Sequence, residues 1–242
     1  MNTNLNSNLN ANLKTSLNIK TDSEISPSII EERTIPSISN PENTGFKRKE
    51  MEEMVVRWLK ANKDAEKEAD WTKHLGPLYT EDAVYAWNIG SNEEFVANGR
   101  KEICDIALGY QMKGFEEWEY PYHDIIIDEV RGTVIGFWKQ RTPWKREDGT
   151  YYEISGIGGS WFEYAGNYQW KWQRDFFDLG NAKATFFELA GAGLLSPVVK
   201  EKIHLQAKGV LLPGHRKLRP EMSKMEKFKN FMAMIKIATT GK

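Results

Sequence analysis

Residues 151–178, YYEISGIGGSWFEYAGNYQWKWQRDFFD, contain two runs in which the side-chain pattern repeats every second residue. One run covers Tyr151–Tyr164 and the other Asn167–Asp178, and a period of two is typical of β-strands. Two earlier runs of the same kind cover Tyr120–Asp128 and Thr133–Thr142. Glycine-containing turns separate the runs, at Arg131-Gly132, Glu147-Asp148-Gly149 and Ala165-Gly166-Asn167. The sequence therefore predicts a meander of four antiparallel strands.

Glycines interrupt the third of these runs at Gly156, Gly158 and Gly159. Glycine weakens a flat strand because it has no side chain to pack and costs more conformational entropy. Within a strand it often marks a bulge or a close bend. We therefore expect the sheet to be curved at this point.

Helices are predicted upstream of the meander. From Lys49 onward, apolar side chains recur at steps of three and four residues, as on one face of a helix. Gly76-Pro77 interrupts this spacing, so a second, short helical piece is expected there. Ala83–Asn88 is then predicted as a strand, Ser91–Gly99 as a loop or short turn, and Arg100–Tyr110 as a helix.

The two ends of the chain differ from its middle. The first 45 residues are rich in Asn and Ser, and no aromatic residue precedes Phe46. Such a composition cannot bury enough surface to offset its ordering entropy, so residues 1–45 are predicted to be a disordered tail, with a targeting role as the alternative. Residues 46–190 are predicted to form the domain, and residues 191–242 a helical extension.

That extension is basic. From Lys200 onward, eleven Lys and Arg residues stand against three Asp and Glu residues. Helices are predicted at Pro197–Lys208 and Glu221–Thr239, whereas Ala182–Ala190 fits a short helix or a strand. The last helix is amphipathic, so it either contacts an anionic surface or a partner helix, or packs its apolar side on its own domain or on a second copy.

Composition limits the classes of function. The net charge of -1 argues against a chain that binds polyanions by charge alone. Cys104 has no second cysteine to pair with, which fits a reducing compartment. No apolar stretch reaches the roughly 18–20 residues that cross a bilayer, and Met1–Leu17 does not have the pattern of a signal peptide. We expect a soluble, cytoplasmic protein.

Three segments carry a family resemblance. Leu78–Tyr85, LYTEDAVY, resembles the start of the first strand in the nuclear transport factor 2-like superfamily. Gly99–Ile103 resembles the segment that opens that superfamily's third helix, and Gln173–Asp178 resembles the end of the last strand in its SnoaL-like, or polyketide cyclase-like, branch. The resemblance spans roughly residues 49–185 and includes the order of helices and strands predicted above.

The resemblance implies an α+β cone, in which a curved antiparallel sheet wraps around N-terminal helices and leaves an apolar cavity. This fold hosts isomerases, dehydratases, cyclases, epoxide hydrolases and binding modules without catalytic activity, so it does not by itself give the function. A catalytic site in such a cavity needs a proton-transfer group whose pKa is moved toward neutrality, and a hydrogen-bond donor for a developing oxyanion.

His123 is the first candidate for proton transfer. It has the same strand phase as Ile125 and Ile127, and an imidazole in an apolar cavity can act as acid or base near neutral pH. The alternative is a structural histidine, buried or at the exposed start of the strand.

Arg174 and Asp178 are the next candidates, since they share a strand phase with several aromatic residues. Arg174 could hold an oxyanion and Asp178 could move a proton. Asp175 has the opposite phase, and a β-bulge would exchange the two aspartates. The alternative is a structural Arg–Asp pair at the sheet edge. Tyr85 could donate a hydrogen bond from the first strand, or be a core aromatic residue.

Other candidates would shape the pocket and bind the substrate: Trp87, Trp172, Tyr79, Trp138, Tyr152 and Asp175. The four histidines show no metal-ligand spacing, and no phosphate-binding glycine loop or nucleophile elbow is present. We therefore expect neither a metal nor a cofactor.

Two functions stay open at this point. One is a cofactor-independent lyase, isomerase or hydrolase that acts by acid/base catalysis on a small hydrophobic molecule. The other is a non-catalytic module that binds a small ligand or dimerises. A homodimer is expected, because Ile126 or Ile157 would lie on the outer face of the sheet, and a nucleic-acid partner is not.

Overall fold

The computed structural model describes residues 43–241. The described residues up to Leu218 belong to one compact unit, which contains the sheet and the helices packed on it. The residues from Arg219 onward belong to a second unit. The predicted disordered tail lies almost wholly outside the described residues.

A seven-stranded sheet forms the centre of the first unit, with the strand order β3-β4-β7-β8-β1-β2-β9. Its strands are β1 (Tyr79–Gly90), β2 (Glu93–Asn98), β3 (Tyr122–Asp128), β4 (Thr133–Trp138), β7 (Gly158–Tyr164), β8 (Trp170–Phe177) and β9 (His215–Lys217). A separate two-stranded sheet pairs β5 (Gln140–Lys145) with β6 (Tyr151–Ile154). Neighbouring strands are antiparallel except β1 and β8, which run parallel.

The predicted meander is confirmed, with two of its runs divided. The second run breaks at Lys139 into β4 and β5, and the third breaks after Ile154 into β6 and β7. Gly156 lies in this second break with φ +51°, a left-handed conformation that favours glycine. At both breaks the chain leaves the main sheet. The end of the second run, β5, therefore pairs with the start of the third run, β6.

The segment predicted as a loop at Ser91–Gly99 is instead mostly strand β2. It forms a hairpin with β1, in which Trp87 lies opposite Phe95. Phe95, Val96 and Ala97 are buried there. The loop prediction was wrong because the segment begins with four polar residues, 91–94, and its apolar run, 95–97, is too short to indicate a strand by itself.

Helices cover the concave side of the sheet. Helix α1 (Arg48–Glu68) is followed by the short α2 (Trp71–Leu75) and a 3-10 turn at Gly76–Leu78, while α3 (Gly99–Glu102) continues as a π-helix over Ile103–Tyr110. Trp58 of α1 is buried, and its ring meets Tyr79, Phe162 and Trp170 edge-on at centroid distances of 6.0, 5.1 and 6.3 Å. This aromatic contact fixes α1 on the sheet.

Two further helices follow the last long strand, α4 (Leu179–Gly191) and α5 (Pro197–Ala207). They pack around a second apolar cluster that includes Trp118, Leu189 and Val199. The buried Lys202 of α5 donates hydrogen bonds from its Nζ to the carbonyls of Tyr110, Gln111 and Lys113, at 2.8, 3.0 and 2.9 Å. Burial lowers the pKa of Lys202 to about 8. This ammonium group therefore ties α5 to the end of the π-helix.

Helix α6 (Lys224–Thr240) belongs to the second unit. A capping box begins it, since Ser223 accepts from the backbone N–H of Glu226 and the Glu226 carboxylate accepts from the backbone N–H of Ser223. Its side chains are exposed along its whole length.

Candidate functional site

A cavity of about 260 Å³ lies between the helices and the concave side of the sheet. We call it the inner cavity; aromatic rings form much of its wall, among them Trp58, Trp71, Tyr85, Trp87, Tyr120 and Trp138. A second cavity of about 750 Å³, the outer cavity, lies beside it along α4 and α5. Phe115, Phe177 and Phe186 line both cavities, so the two adjoin.

Asp175 of β8 is the carboxylate of the inner cavity. Its Oδ2 accepts a hydrogen bond from the Tyr85 hydroxyl at 2.6 Å. Its Oδ1 accepts from the Ser160 hydroxyl at 2.6 Å and from the Gln173 Nε2 at 2.8 Å. A carboxylate offers about four acceptor positions, so this arrangement leaves one, on Oδ2, beyond those that the protein fills.

The donors to Asp175 are themselves held in place. The indole N–H of Trp138 donates to the Ser160 Oγ at 2.8 Å, so the Ser160 proton is directed to the carboxylate. The Tyr79 hydroxyl donates to the Gln173 Oε1, which turns the amide nitrogen of Gln173 toward Asp175. Ser160, Gln173 and Tyr79 are all buried. The network therefore fixes the orientation of the carboxylate before any ligand binds.

Burial raises the pKa of the Asp175 carboxyl to about 6, although the hydrogen bonds from Gln173, Ser160 and Tyr85 oppose the shift. Burial also raises the pKa of Tyr85 well above its usual value, and that of Tyr120 as well. Near neutral pH, Asp175 is therefore mostly ionised but within reach of its titration range, while the two phenols keep their protons. A base and hydroxyl donors therefore share one apolar cavity.

Gln111 is a second polar group, and it lines both cavities. Its Nε2 lies 3.1 Å from the His215 Nε2 and donates to the Pro213 carbonyl at 3.3 Å. The His215 Nδ1 lies 2.8 Å from the Glu93 Oε1. Burial lowers the pKa of His215, which favours the neutral ring with its proton on Nδ1. The His215 Nε2 can then accept from the Gln111 amide, so the amide nitrogen of Gln111 faces His215.

The structure places His123 outside the cavity, on an exposed strand position. The pairing of β3 with β4 passes from Tyr122–Trp138 to Asp124–Phe137, so His123 is an extra residue in a bulge. The bulge turns Tyr122 into the inner cavity and His123 out of it. The predicted pocket position of His123 is wrong for this reason.

A second bulge decides between the two aspartates. Glu163 pairs with Trp172 and Tyr164 with Trp170, so Lys171 is an extra residue in β8. Beyond it, Gln173, Asp175 and Phe177 line the inner cavity. Asp178 instead begins α4, where its carboxylate accepts from the backbone N–H of Asn181 at 2.9 Å. The predicted cavity position of Asp178 is wrong, and Asp175 takes its place.

Arg174 does not reach the cavity, because the same bulge puts it on the other side of the sheet. It is buried, and its guanidinium donates to Asn88 and to the Glu94 Oε2, the latter at 3.3 Å from Nη2. Arg216 holds the other oxygen of the fully buried Glu94, with Nη2 2.8 Å from Oε1. The predicted cavity position of Arg174 is therefore wrong, and its partners here are protein groups.

The remaining predicted residues divide into two groups. Tyr79, Tyr85, Trp87 and Trp138 line the inner cavity, as does Asp175. Trp172 lies on the opposite side of β8 from Asp175, and its ring meets Trp161 edge-on at 5.2 Å. Tyr152 packs beside the second apolar cluster, with the Arg146 guanidinium 4.7 Å from its ring centroid. Neither Trp172 nor Tyr152 belongs to the cavity wall.

Sequence reasoning missed Ser160, Gln173 and Gln111. Ser160 and Gln173 have the strand phase of cavity residues once the bulge at Lys171 is known, but no pattern marks that bulge. Within residues 43–241, no group of three or more His, Cys, Asp or Glu side chains is placed to hold a metal ion. Nor does this part of the chain contain a helix long and apolar enough to cross a membrane.

Comparison with known proteins gives solved structures of similar fold. A SnoaL-like polyketide cyclase described as putative, from Jannaschia sp., is 14% identical, with 58% of this chain and 96% of that chain covered and a TM-score of 0.42. A nuclear transport factor 2-like protein from Anabaena variabilis is 14% identical, with 55% and 92% covered and a TM-score of 0.43. The protein Bal32a, from a soil-derived mobile gene cassette, is 19% identical, with 56% and 98% covered and a TM-score of 0.41.

No family model and no curated protein sequence matches the chain. The conclusion about the fold rests on the molecule itself: helices α1 and α2, a first strand, a third helix and a curved antiparallel sheet that encloses a cavity. This is the order and the architecture predicted from the sequence. The chain therefore has the α+β architecture that the sequence predicts, with a curved antiparallel sheet packed against N-terminal helices.

Proposed function

We propose that the protein is an enzyme that moves a proton on a small, mainly apolar molecule held in the inner cavity. The observation that supports this is the Asp175 carboxylate, which has a pKa of about 6, an orientation fixed by three donors, and a place in an aromatic cavity. A general base is most effective when its pKa lies near the working pH.

In the proposed step, the carboxylate of Asp175 takes a proton from a carbon beside a carbonyl group of the ligand. The electron pair of that C–H bond moves toward the carbonyl oxygen, and the Tyr120 hydroxyl donates a hydrogen bond to the resulting oxyanion. Asp175 then returns the proton to another atom of the ligand, or a leaving group departs with its electron pair. The first outcome is an isomerisation and the second an elimination, and neither requires a cofactor.

Tyr85 acts on the base rather than on the ligand in this proposal. Its hydroxyl donates to the Asp175 Oδ2, so it stabilises the ionised carboxylate and keeps the pKa from rising further. Trp87 and Trp138 would bind the ligand through their rings, since both line the inner cavity. The wall carries one carboxylate and no described Lys or Arg side chain, which favours a neutral ligand.

The experiment begins with a search for small ring compounds that raise the melting temperature of the protein, since a ligand that binds only the native state stabilises it. Each stabilising carbonyl compound is then incubated in deuterated water with the wild type, with Asp175→Asn, or with the exposed-site control His123→Ala. We expect the wild type and the control to exchange a C–H proton for deuterium, and Asp175→Asn not to. Exchange in all three proteins, or in none with any stabilising compound, would refute the proposal.

A second candidate function is a binding module without catalysis. The observation that favours it is that three protein donors already fill most of the acceptor positions of Asp175. In that case the carboxylate orders the cavity wall, and the cavity holds a ligand without changing it. Stabilisation by a compound that shows no exchange and no turnover, in wild type and Asp175→Asn alike, would support this function.

A homodimer is also proposed. Ile126 and Ile157 are 52% and 70% exposed, as expected of residues that a second copy could cover. Sedimentation of the wild type beside an Ile126→Ser, Ile157→Ser variant tests this, with a monomeric variant as the expected result and a monomeric wild type as the contrary one. The cytoplasmic location stays a prediction.

A further inference from the structure

Helix α6 exposes a broad apolar face. At 3.6 residues per turn, Met225, Phe228, Phe231, Met232 and Ile235 fall within an arc of about 120°. Met225, Phe228 and Phe231 are 74, 61 and 61% exposed. A contiguous exposed apolar surface of this kind usually marks a contact with another protein or with a membrane.

Lysines border this face. Lys229 and Lys236 lie along one edge, and Lys224 lies on the face itself, in its first turn. Lys227 lies along the other edge, where its Nζ is 3.7 Å from the Glu221 carboxylate. The acidic Glu226 is engaged in the cap of the helix, where its carboxylate accepts from Ser223 at 2.8 Å. The edge that carries Lys229 and Lys236 is therefore positively charged, which matches a surface that is apolar inside and anionic at its boundary.

A second copy of the helix is a poorer match to this face. A coiled-coil seam through Met225, Phe228, Met232 and Ile235 would be only two heptads long. A parallel pairing would place Lys224 of one copy near Lys229 of the other, and an antiparallel pairing would place Lys229 near Lys236. Both arrangements put like charges together at the flanks of the seam.

We infer that α6 binds the surface of a membrane rich in anionic lipids. The helix is 17 residues, about 25 Å, long and would lie in the plane of the interface, with its phenylalanines among the acyl chains and its lysines at the headgroups. It does not span the bilayer. This inference is independent of the chemistry in the cavity.

The test uses the full chain and two kinds of vesicle, one of phosphatidylcholine alone and one of equal parts phosphatidylcholine and phosphatidylserine. Co-sedimentation should show binding to the mixed vesicles that weakens as salt is added. Lys229→Gln with Lys236→Gln should weaken binding about fivefold per lysine, since each is worth about one kilocalorie per mole near such a surface. Phe228→Ser with Phe231→Ser should weaken it at least about a hundredfold.

Asn230→Ser is the matched control, because Asn230 is exposed on the opposite side of the same helix. The control should bind as the wild type does, and all variants should keep the wild-type melting temperature. The inference is overturned if the protein binds neither vesicle, or binds both equally. It is also overturned if the phenylalanine variant dissociates a dimer while vesicle binding is absent, since the face would then belong to a second copy.

Discussion

Replacing Asp175 by Asn should change how the stability of the protein depends on pH. The amide oxygen of Asn can still accept from Ser160 and Gln173, and the hydroxyl of Tyr85 can turn to accept from the amide nitrogen. The shape of the site is kept, but the ionisable group is removed. The variant therefore isolates the free energy of burying a charged carboxylate in the inner cavity.

The size of the effect follows from the shifted pKa. The Asp175 carboxyl titrates at about 6 in the folded protein, against about 3.9 in an unfolded chain. A difference of about two units corresponds to about 3 kcal/mol, since each unit is worth about 1.4 kcal/mol. Between these two pKa values the folded state binds more protons than the unfolded state, so raising the pH through this window removes stability.

Urea unfolding of the wild type and Asp175→Asn from about pH 4 to pH 8 measures this difference. Titration of all other groups is common to both proteins and cancels in the difference. We expect the wild type to lose up to about 3 kcal/mol relative to the variant between pH 4 and pH 7, and then to level off. A difference that is flat with pH, or in which the wild type gains stability, would refute the assignment of a raised pKa to Asp175.

The remaining predictions concern one residue each. Tyr85→Phe removes a donor to the ionised Asp175, so the pKa of Asp175 should rise. In the same urea experiment, the pH-dependent loss of stability should therefore be centred at a higher pH in Tyr85→Phe than in the wild type. A centre at the same or a lower pH would contradict this. Glu94→Gln leaves the Arg174 guanidinium buried without its charged partner and should cost about 3 kcal/mol in denaturant unfolding, whereas a loss below about 0.5 kcal/mol would show that the pair is not a stabilising contact. His123→Ala should change the unfolding free energy by no more than about 0.5 kcal/mol, because the residue is exposed. Ligand binding measured by calorimetry should be unchanged, and a clear loss of binding would show that His123 belongs to the site.

The fold was predictable because its signals are local. The period of two in the late runs and the steps of three and four in α1 are each read from neighbouring residues. The point at which a long run leaves the main sheet cannot be predicted from neighbouring residues. It depends on the pairing of β5 with β6, which come from two different runs. The glycine at Gly156 indicated that bend but not which strand each half would join.

The site was predictable in its aromatic wall and not in its polar groups. Tyr85 and Trp87 keep the phase that their strand predicts. His123 does not, because it is itself the extra residue of a bulge, and Asp178 does not, because the bulge at Lys171 reverses the later side chains of β8. Neither bulge leaves a mark in the pattern of apolar and polar residues. Choosing Asp175 over Asp178 required knowing that Lys171 is an extra residue on β8.

Arg174 shows a different limit. Its strand phase and aromatic neighbours suggested an anion-binding group, but its partners are Glu94, 80 residues away in the chain, and Asn88. A buried guanidinium is stabilised by groups that the fold brings together from distant segments. No local pattern in one sequence identifies those partners.

A structure of the protein with a stabilising ring compound bound would show whether Asp175 faces a ligand. We expect the compound to occupy the inner cavity between Trp87 and Trp138, with a polar or acidic hydrogen of the compound directed at the Asp175 Oδ2. A compound bound elsewhere, or an interior closed by side chains around Asp175 with no space for a ligand, would contradict it.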